Sequence, residues 1–216
     1  MTIFFIIPFM ISKDISVVGS IALDTIKTSK GNQKNLLGGS AMYFSLSASI
    51  FSPVEVIGIV GTDFPNKGWE IFKSHNINYD NITIEHGKTF SWGGEYSDDY
   101  LSRDTLFTDL GVFENYQPNI VSSTNKNGIL FLANIQPSLQ LHVLNQLSDN
   151  ISLVIADTMN LWIDTDLKGL NEVISKSNIF LLNDEEANQL TGCSDLTKAG
   201  EYILEQGPNT VIIKMG

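Results

Sequence analysis

NIFLLNDEEANQLTGCSDLTKAGEYILEQGPNTVIIKMG, residues 178–216, decides the fold class. Its apolar runs at 178–182 and 210–213 lack the strict alternation of a half-solvated strand, so each is predicted to be a strand buried on both faces, as in a parallel sheet. Between them, 194–206 places Leu196, Ala199, Ile203 and Leu204 on one helical stripe and stops at Gly207-Pro208. Working upstream, 152–156 is a third such strand, and 166–177 is a helix carrying Leu167, Leu170, Val173 and Ile174. Alternating strand and helix predict an α/β chain: a Rossmann-like, doubly wound, mostly parallel sheet with right-handed crossovers.

The first half repeats the pattern. Strands are predicted at 15–21, 54–60 and 129–133, and helices at 40–51 (after Gly38-Gly39), 67–75 and 137–147. Two stretches break the rhythm. Residues 25–37 are polar with Gly31, and 88–113 are rich in Thr, Gly and aromatics. Antiparallel strands are predicted at 89–96 and 105–110, around the turn Ser97-Asp98-Asp99. Together they predict a small β-sheet projecting from the α/β layer. Residues 1–13 are expected to be an extension outside the fold. The apolar run 3–11 is broken by Pro8 and falls well short of the about 20 residues that span a bilayer. It also lacks the basic start and cleavage site of a signal peptide.

Composition narrows the function classes. Asp plus Glu is 24 and Lys plus Arg is 13 among 216 residues, a net charge of −11 that repels polyanions and argues against a nucleic-acid partner. With 43% hydrophobic and 17% charged residues, the chain is neither disordered nor an integral membrane protein. A lone cysteine, Cys193, forms no internal disulfide, and three scattered histidines complete no zinc site, so a reducing, cytoplasmic compartment is expected.

In an open parallel sheet, ligands bind beyond the carboxyl ends of the strands. Asp24 follows the first strand, Asp157, Thr158 and Asn160 follow 152–156, Asn183 and Glu186 follow 178–182, and Lys214 and Gly216 end the last. Gly38-Gly39-Ser40 precedes a helix, where bare backbone lets a ligand approach unpaired N–H groups, although an ordinary turn has the same signature. No G-x-G-x-x-G or Walker sequence is present. Asn183-Asp184-Glu185-Glu186 fits a helix capping box, and equally an amide and a carboxylate suited to hydrated Mg²⁺ and phosphate. Arg103, the single arginine, lies near Trp92, Tyr96 and Tyr100 in the projecting segment, either to clamp ligand oxygens or as a solvated surface residue. Trp92 can stack on a sugar face or pack the small sheet.

Taken in order, VVGSIALD (17–24), LGGSAMYFSLSAS (37–49), VIGIVGTDFPNKGWEIFKSHNI (56–77), the insertion at 88–113, LLNDEEANQLTG (181–192) and VIIKMG (211–216) resemble the ribokinase-like, or PfkB-type, carbohydrate kinases. The resemblance runs from about residue 14 to residue 216, with lid segments at about 25–37 and 88–113. It implies a kinase that uses ATP and Mg²⁺ to phosphorylate a hydroxyl of a sugar or sugar-like substrate, with nucleosides as the nearest rival acceptors and a homodimer formed through the lid. By position, Asp24 would chelate sugar hydroxyls, Gly38, Gly39 and Ser40 would let the sugar reach the backbone, and Tyr43, Trp92, Arg103, Asp157 and Asn160 would line the substrate side. Asn183, Glu186, Lys214 and Gly216 would serve the nucleotide, with Glu186 organising Mg²⁺.

The sequence departs from the family in three places. Tyr43 stands where many members have Asn, and Asn134 follows the strand at 129–133 where many have an acid. No G-x-G-D segment, which carries the family's catalytic aspartate and anion hole, occurs in the 216 residues. The expectation is therefore a truncated, inactive form lacking the catalytic base, with the strand at 210–213 left uncovered; a non-catalytic sugar-binding or regulatory module is the alternative.

Overall fold

The computed structural model describes residues 13–99, 102–120, 128–147, 149 and 151–215. Most of the N-terminal extension, Tyr100 and Gly216 lie outside the described residues. Seven parallel strands form the main sheet: β1 (Ile15–Val18), β4 (Val54–Gly61), β5 (Asn78–Glu85), β8 (Gly128–Leu132), β9 (Ile151–Asp157), β10 (Ile179–Asn183) and β11 (Thr210–Lys214). Their spatial order is β11-β10-β9-β8-β1-β4-β5. The chain thus winds one way from β1 through β4 to β5 and the other way from β8 to β11. The reversal falls between β1 and β8, the position where open α/β sheets form a ligand crevice.

Buried side chains alternate between the faces. Val17, Val56 and Phe131 pack with Met42 of α1 (Ser40–Ala48) and Phe72 of α2 (Asn66–Ser74). Val18, Ile57, Leu130 and Leu132 pack on the other side with Val143 of α3 (Pro137–Leu147), Leu170 and Ile174 of α5 (Leu167–Lys176), Ala187 of α6 (Asp184–Thr191) and Ile203 of α7 (Leu196–Leu204). The short α4 (Asn160–Thr165) follows β9. A continuous apolar run with both faces covered is what a central parallel strand requires, and all eight residues of β4 are buried.

The predicted small sheet is present. Four strands, β2 (Ala22–Thr28), β3 (Gly31–Gly38), β6 (Ser91–Tyr96) and β7 (Arg103–Asp109), lie in the order β3-β2-β6-β7. The two outer pairings are antiparallel, and β2 and β6 run parallel.

Several sequence-based expectations need correction. The first strand was expected to reach Ile21 but ends at Val18; beyond it Gly19 packs so closely that an added Cβ would meet the Ser40 hydroxyl at 2.7 Å and Ala133 at 2.9 Å. The chain then crosses into the lid. Strand β5 and helix α4 were not foreseen; β5 (NYDNITIE) is half polar and only two of its residues are buried. The strand at 210–213, by contrast, has the open edge and apolar face expected of it. Val211 and Ile213 pack into the core, and only the opposite face, with Ile212 44% exposed, is open.

Candidate functional site

The root of the lid is built around Asp24. Its carboxylate lies directly over Gly38, where any Cβ would overlap its Oδ2. The Trp92 backbone N–H donates to it, but burial outweighs that hydrogen bond and raises its pKa to about 6. Gly39, at φ +96°, packs against the Ser20 carbonyl and forms the N-cap of α1 without a capping side chain. Ser20 and Ser40 staple this corner: the Ser40 N–H donates to Ser20 Oγ at 3.0 Å, and the Ser20 N–H donates to Ser40 Oγ at 3.2 Å. Ser40 Oγ also donates to the Asn134 carbonyl at 3.2 Å, joining the β1 end to the β8 end across the crevice. Tyr43, 61% exposed, donates its hydroxyl to the Leu37 carbonyl at 3.3 Å.

At the far end of the edge, the capping box is fully formed. The Glu186 N–H donates to Asn183 Oδ1, and the Asn183 N–H donates to Glu186 Oε2, both at 2.7 Å. Glu186 is 5% exposed, and burial pushes its pKa up against the opposing pull of that N–H and of Lys214. Lys214 Nζ donates to Asp157 Oδ1 at 3.1 Å, bridging β11 and β9 across β10. Asp157, Asn183, Glu186 and Lys214 are therefore brought together.

Other predicted residues are engaged elsewhere. The Asn160 amide donates to Gln189 Oε1 at 2.6 Å, and Gln189 in turn donates to Asp164, so this amide ties α4 to α6. The Trp92 ring fills the space over Gly94, and the Arg103 guanidinium sits over the indole, 5.3 Å from its centroid. A surface cavity of about 430 Å³ opens farther out, at the lid tip, lined by Lys27, Glu95, Tyr96 and Arg103 among others; Asp24 is not part of it.

Sequence reading missed two supporting residues. Asp63 Oδ1 accepts from both the backbone N–H and the hydroxyl of Thr89 at 2.7 Å, anchoring the second lid segment; the run VGTDFP carried that signal. Gln140 Nε2 donates to the carbonyls of Leu132, Ala133 and Asp157, fixing the ends of β8 and β9, and nothing local marks it. Thr158, which the strand-end reading had named, is 3% exposed, and its hydroxyl has no partner among the described residues.

Comparison with known proteins agrees with this fold. No protein-family model matches the chain. A cytidine kinase of Thermococcus kodakarensis is 27% identical over 208 residues, 94% of this chain and 73% of the relative. The Methanocaldococcus jannaschii nucleoside kinase, an archaeal member of the ribokinase family, superposes with a TM-score of 0.75 at 22% identity over 94% of this chain and 71% of that one. Arabidopsis thaliana ribokinase, solved with ribose and ATP, gives 0.72 at 21% identity over 94% of this chain and 72% of that one. The chain has the ribokinase-like fold, an α/β sheet of seven parallel strands with a four-stranded lid.

Proposed function

We propose that this chain binds ATP with Mg²⁺ and a sugar-containing acceptor, as a kinase lineage that phosphorylates an acceptor hydroxyl. The observation that carries the reading is the seat of Asp24. A carboxylate held over a glycine, accepting one backbone N–H and with no cation hydrogen-bonded to it among the described residues, keeps acceptor capacity for ligand hydroxyls. Gly38 makes the room this carboxylate occupies, and the N-terminus of α1 adds a positive field that favours developing negative charge. No described helix is long and apolar enough to cross a membrane.

The phosphate end fits a hydrated ion. Among the described residues no group of three or more His, Cys, Asp or Glu could cage a metal. One Glu186 oxygen is committed to the cap, and the carboxyl group feels the charges of Lys214 and Asp157. Mg²⁺ bound mainly by water and nucleotide phosphates needs only one or two carboxylates, so Glu186 and Asp157 suit it. Such an ion supplies charge neutralisation at the transferring phosphoryl group. Lys214 adds a mobile positive charge for phosphate oxygens.

A second reading, a binding module without turnover, rests on the same carboxylates. Asp24 is taken up by the acceptor, Asp157 is paired with Lys214, Glu186 caps α6, and Asp184 and Glu185 are exposed on its first turn. None is both free and seated to act as general base, whose help is typically worth about 10²–10⁴-fold. The 216-residue chain is therefore expected to bind acceptors and not to turn them over. Calorimetric titration with a sugar and nucleoside panel, beside an ADP-release assay with Mg-ATP, tests this. Acceptor-dependent turnover near about 1 s⁻¹ would place the base within these residues, and no acceptor binding at all would refute both readings.

A further inference from the structure

We propose that the lid carries a nucleobase subsite formed by Trp92 and Arg103, so that the acceptor is a nucleoside held by its sugar at Asp24 and by its base against this pair. The inference rests on the reading of Asp24 as the acceptor's anchor.

The lid's register puts these groups on one face. Thr25 is opposite Gly93 and Ile26 opposite Gly94 in the parallel β2–β6 pair. Asp24 and Trp92 are therefore lateral neighbours whose side chains point the same way, as does the position of Gly94. The absent side chain at Gly94 is what lets the indole lie down: a Cβ there would overlap the ring. The indole N–H is held by Thr105 Oγ1 at 3.3 Å.

A β-bulge brings Arg103 to the same face. Gly93 is opposite Phe107, but Gly94 is opposite Thr105, so Leu106 is the extra residue. Without that insertion Arg103 would fall opposite Ser97, and its side chain would leave on the other face. With it, Arg103 is opposite Tyr96 and stacks on Trp92 at 5.3 Å. A one-residue shift inverts the facing of everything beyond it, and bulges beside binding sites commonly re-aim a side chain in this way.

The result is a planar cation on a planar ring. Among the described residues the guanidinium has no hydrogen bond or ion pair, and its stack on Trp92 is its one recorded contact. Its five N–H donors remain open to a ligand. Gly94, which carries the indole, lies two residues along and one strand across from Asp24, roughly 8 Å at ordinary sheet spacings. That is the scale on which a sugar and its attached base can occupy both places at once. Guanidinium planes and aromatic rings stack on bases, and the fork donates to paired ring-nitrogen and carbonyl acceptors. A free sugar bound at Asp24 offers neither a π-face nor such an acceptor pair to this part of the lid.

The test titrates the 216-residue chain calorimetrically with ribose, cytidine and adenosine, in wild type and in Arg103→Gln, Trp92→Leu, Gly94→Ala and Asp24→Asn. At least one nucleoside should bind on the order of tenfold tighter than ribose, the usual scale of one base stack. Arg103→Gln and Gly94→Ala, which displaces the indole without removing it, should each erase most of that advantage and leave ribose within about twofold, the scale of a neutral exposed substitution. Thermal melts confirm folding, and Arg103→Gln, at an exposed position without hydrogen bonds, keeps the test valid if a Trp92 variant fails to fold. Nucleoside binding that needs Asp24 but ignores Arg103 and Gly94 overturns the subsite alone, as does a ribose affinity equal to that of both nucleosides. Binding of none of the three through Asp24 overturns the anchor reading and the subsite with it.

Discussion

Asp24 at the root of the lid and Glu186 at the end of β10 are both carboxylates pushed upward by burial, and each accepts one backbone N–H. They differ in what surrounds the rest of the group. Glu186 is locked into a reciprocal cap and has Lys214 near enough to lower its pKa. Asp24 lies over Gly38, and among the described residues no cation offsets its burial. Burial of a charge is tolerated where fixed partners compensate it. At Glu186 much of that compensation is intramolecular and serves the helix. At Asp24 it is incomplete, and the missing part is what an acceptor's hydroxyls would supply.

Removing the glycines should break this comparison most severely. Gly39 combines φ +96° with contact against the Ser20 carbonyl, backbone against backbone. Gly39→Ala carries about 1–3 kcal/mol of conformational strain before the collision is counted. A fall in Tm on the order of 5–10 °C follows for a chain of this size. Gly38→Ala acts differently, because its new methyl meets the Asp24 carboxylate rather than backbone. It should leave the melt much closer to wild type while abolishing acceptor binding. Melting curves and calorimetry on both variants check this; retained acceptor binding in Gly38→Ala would dissociate Asp24 from the acceptor.

Asp24→Asn is the next largest effect. Charge-assisted hydrogen bonds contribute about 1.5–3 kcal/mol each, so acceptor affinity should fall tenfold or more. The pH dependence has a defined sign. The folded-state pKa, about 6, lies above the ordinary carboxylate value, so the folded protein holds this proton more tightly than the unfolded chain. Its stabilising effect is complete below about pH 4 and is lost as the pH rises through about 6. Asp24→Asn should therefore gain stability relative to wild type over that window. Acceptor affinity should move oppositely, declining about tenfold per unit below pH 6 in wild type, because the carboxylate is the form with free acceptor oxygens, and staying flat in Asp24→Asn. Titrations and melts between pH 4 and 8 measure both.

The parallel strands and the crossovers between them were legible because a strand buried on both faces writes an unbroken apolar run, as in ILFL at 129–132. Strand β5 was not, since an edge strand with polar residues carries no such run. The lid's existence was legible from its Thr, Gly and aromatic content, but the Leu106 bulge was not; register is a property of two strands, and neither strand alone encodes it. Asp24 was found by placing strand ends at a common edge, Gly38 and Gly39 as a glycine pair before a helix, and the structure brings them together. Gln140 escaped because its three carbonyl partners come from strand ends up to 17 positions away, and a lone glutamine in a helix has no local mark.

The smallest effect bears on Glu186, where the two halves of the comparison can be separated. Glutamine retains a side-chain oxygen to accept the Asn183 N–H and suits the third position of a capped helix as well as glutamate does. Glu186→Gln should therefore melt within a few tenths of a kcal/mol of wild type, whereas Glu186→Ala, which loses that half of the cap, should cost about 1 kcal/mol. Relief of the burial penalty on a charged group works in the same direction as the retained cap, so Glu186→Gln has no structural reason to destabilise. What it removes is one negative charge beside Asp157 and Lys214. If that charge helps hold hydrated Mg²⁺ against phosphates, Mg-ATP affinity should fall severalfold while affinity for ATP without the metal stays level or rises. Equal Mg-ATP binding in the two proteins, together with equal melts, would make Glu186 a cap and nothing more. The ligand-facing role would then belong to Asp24 alone, and the phosphate end would rest on Lys214 and Asp157.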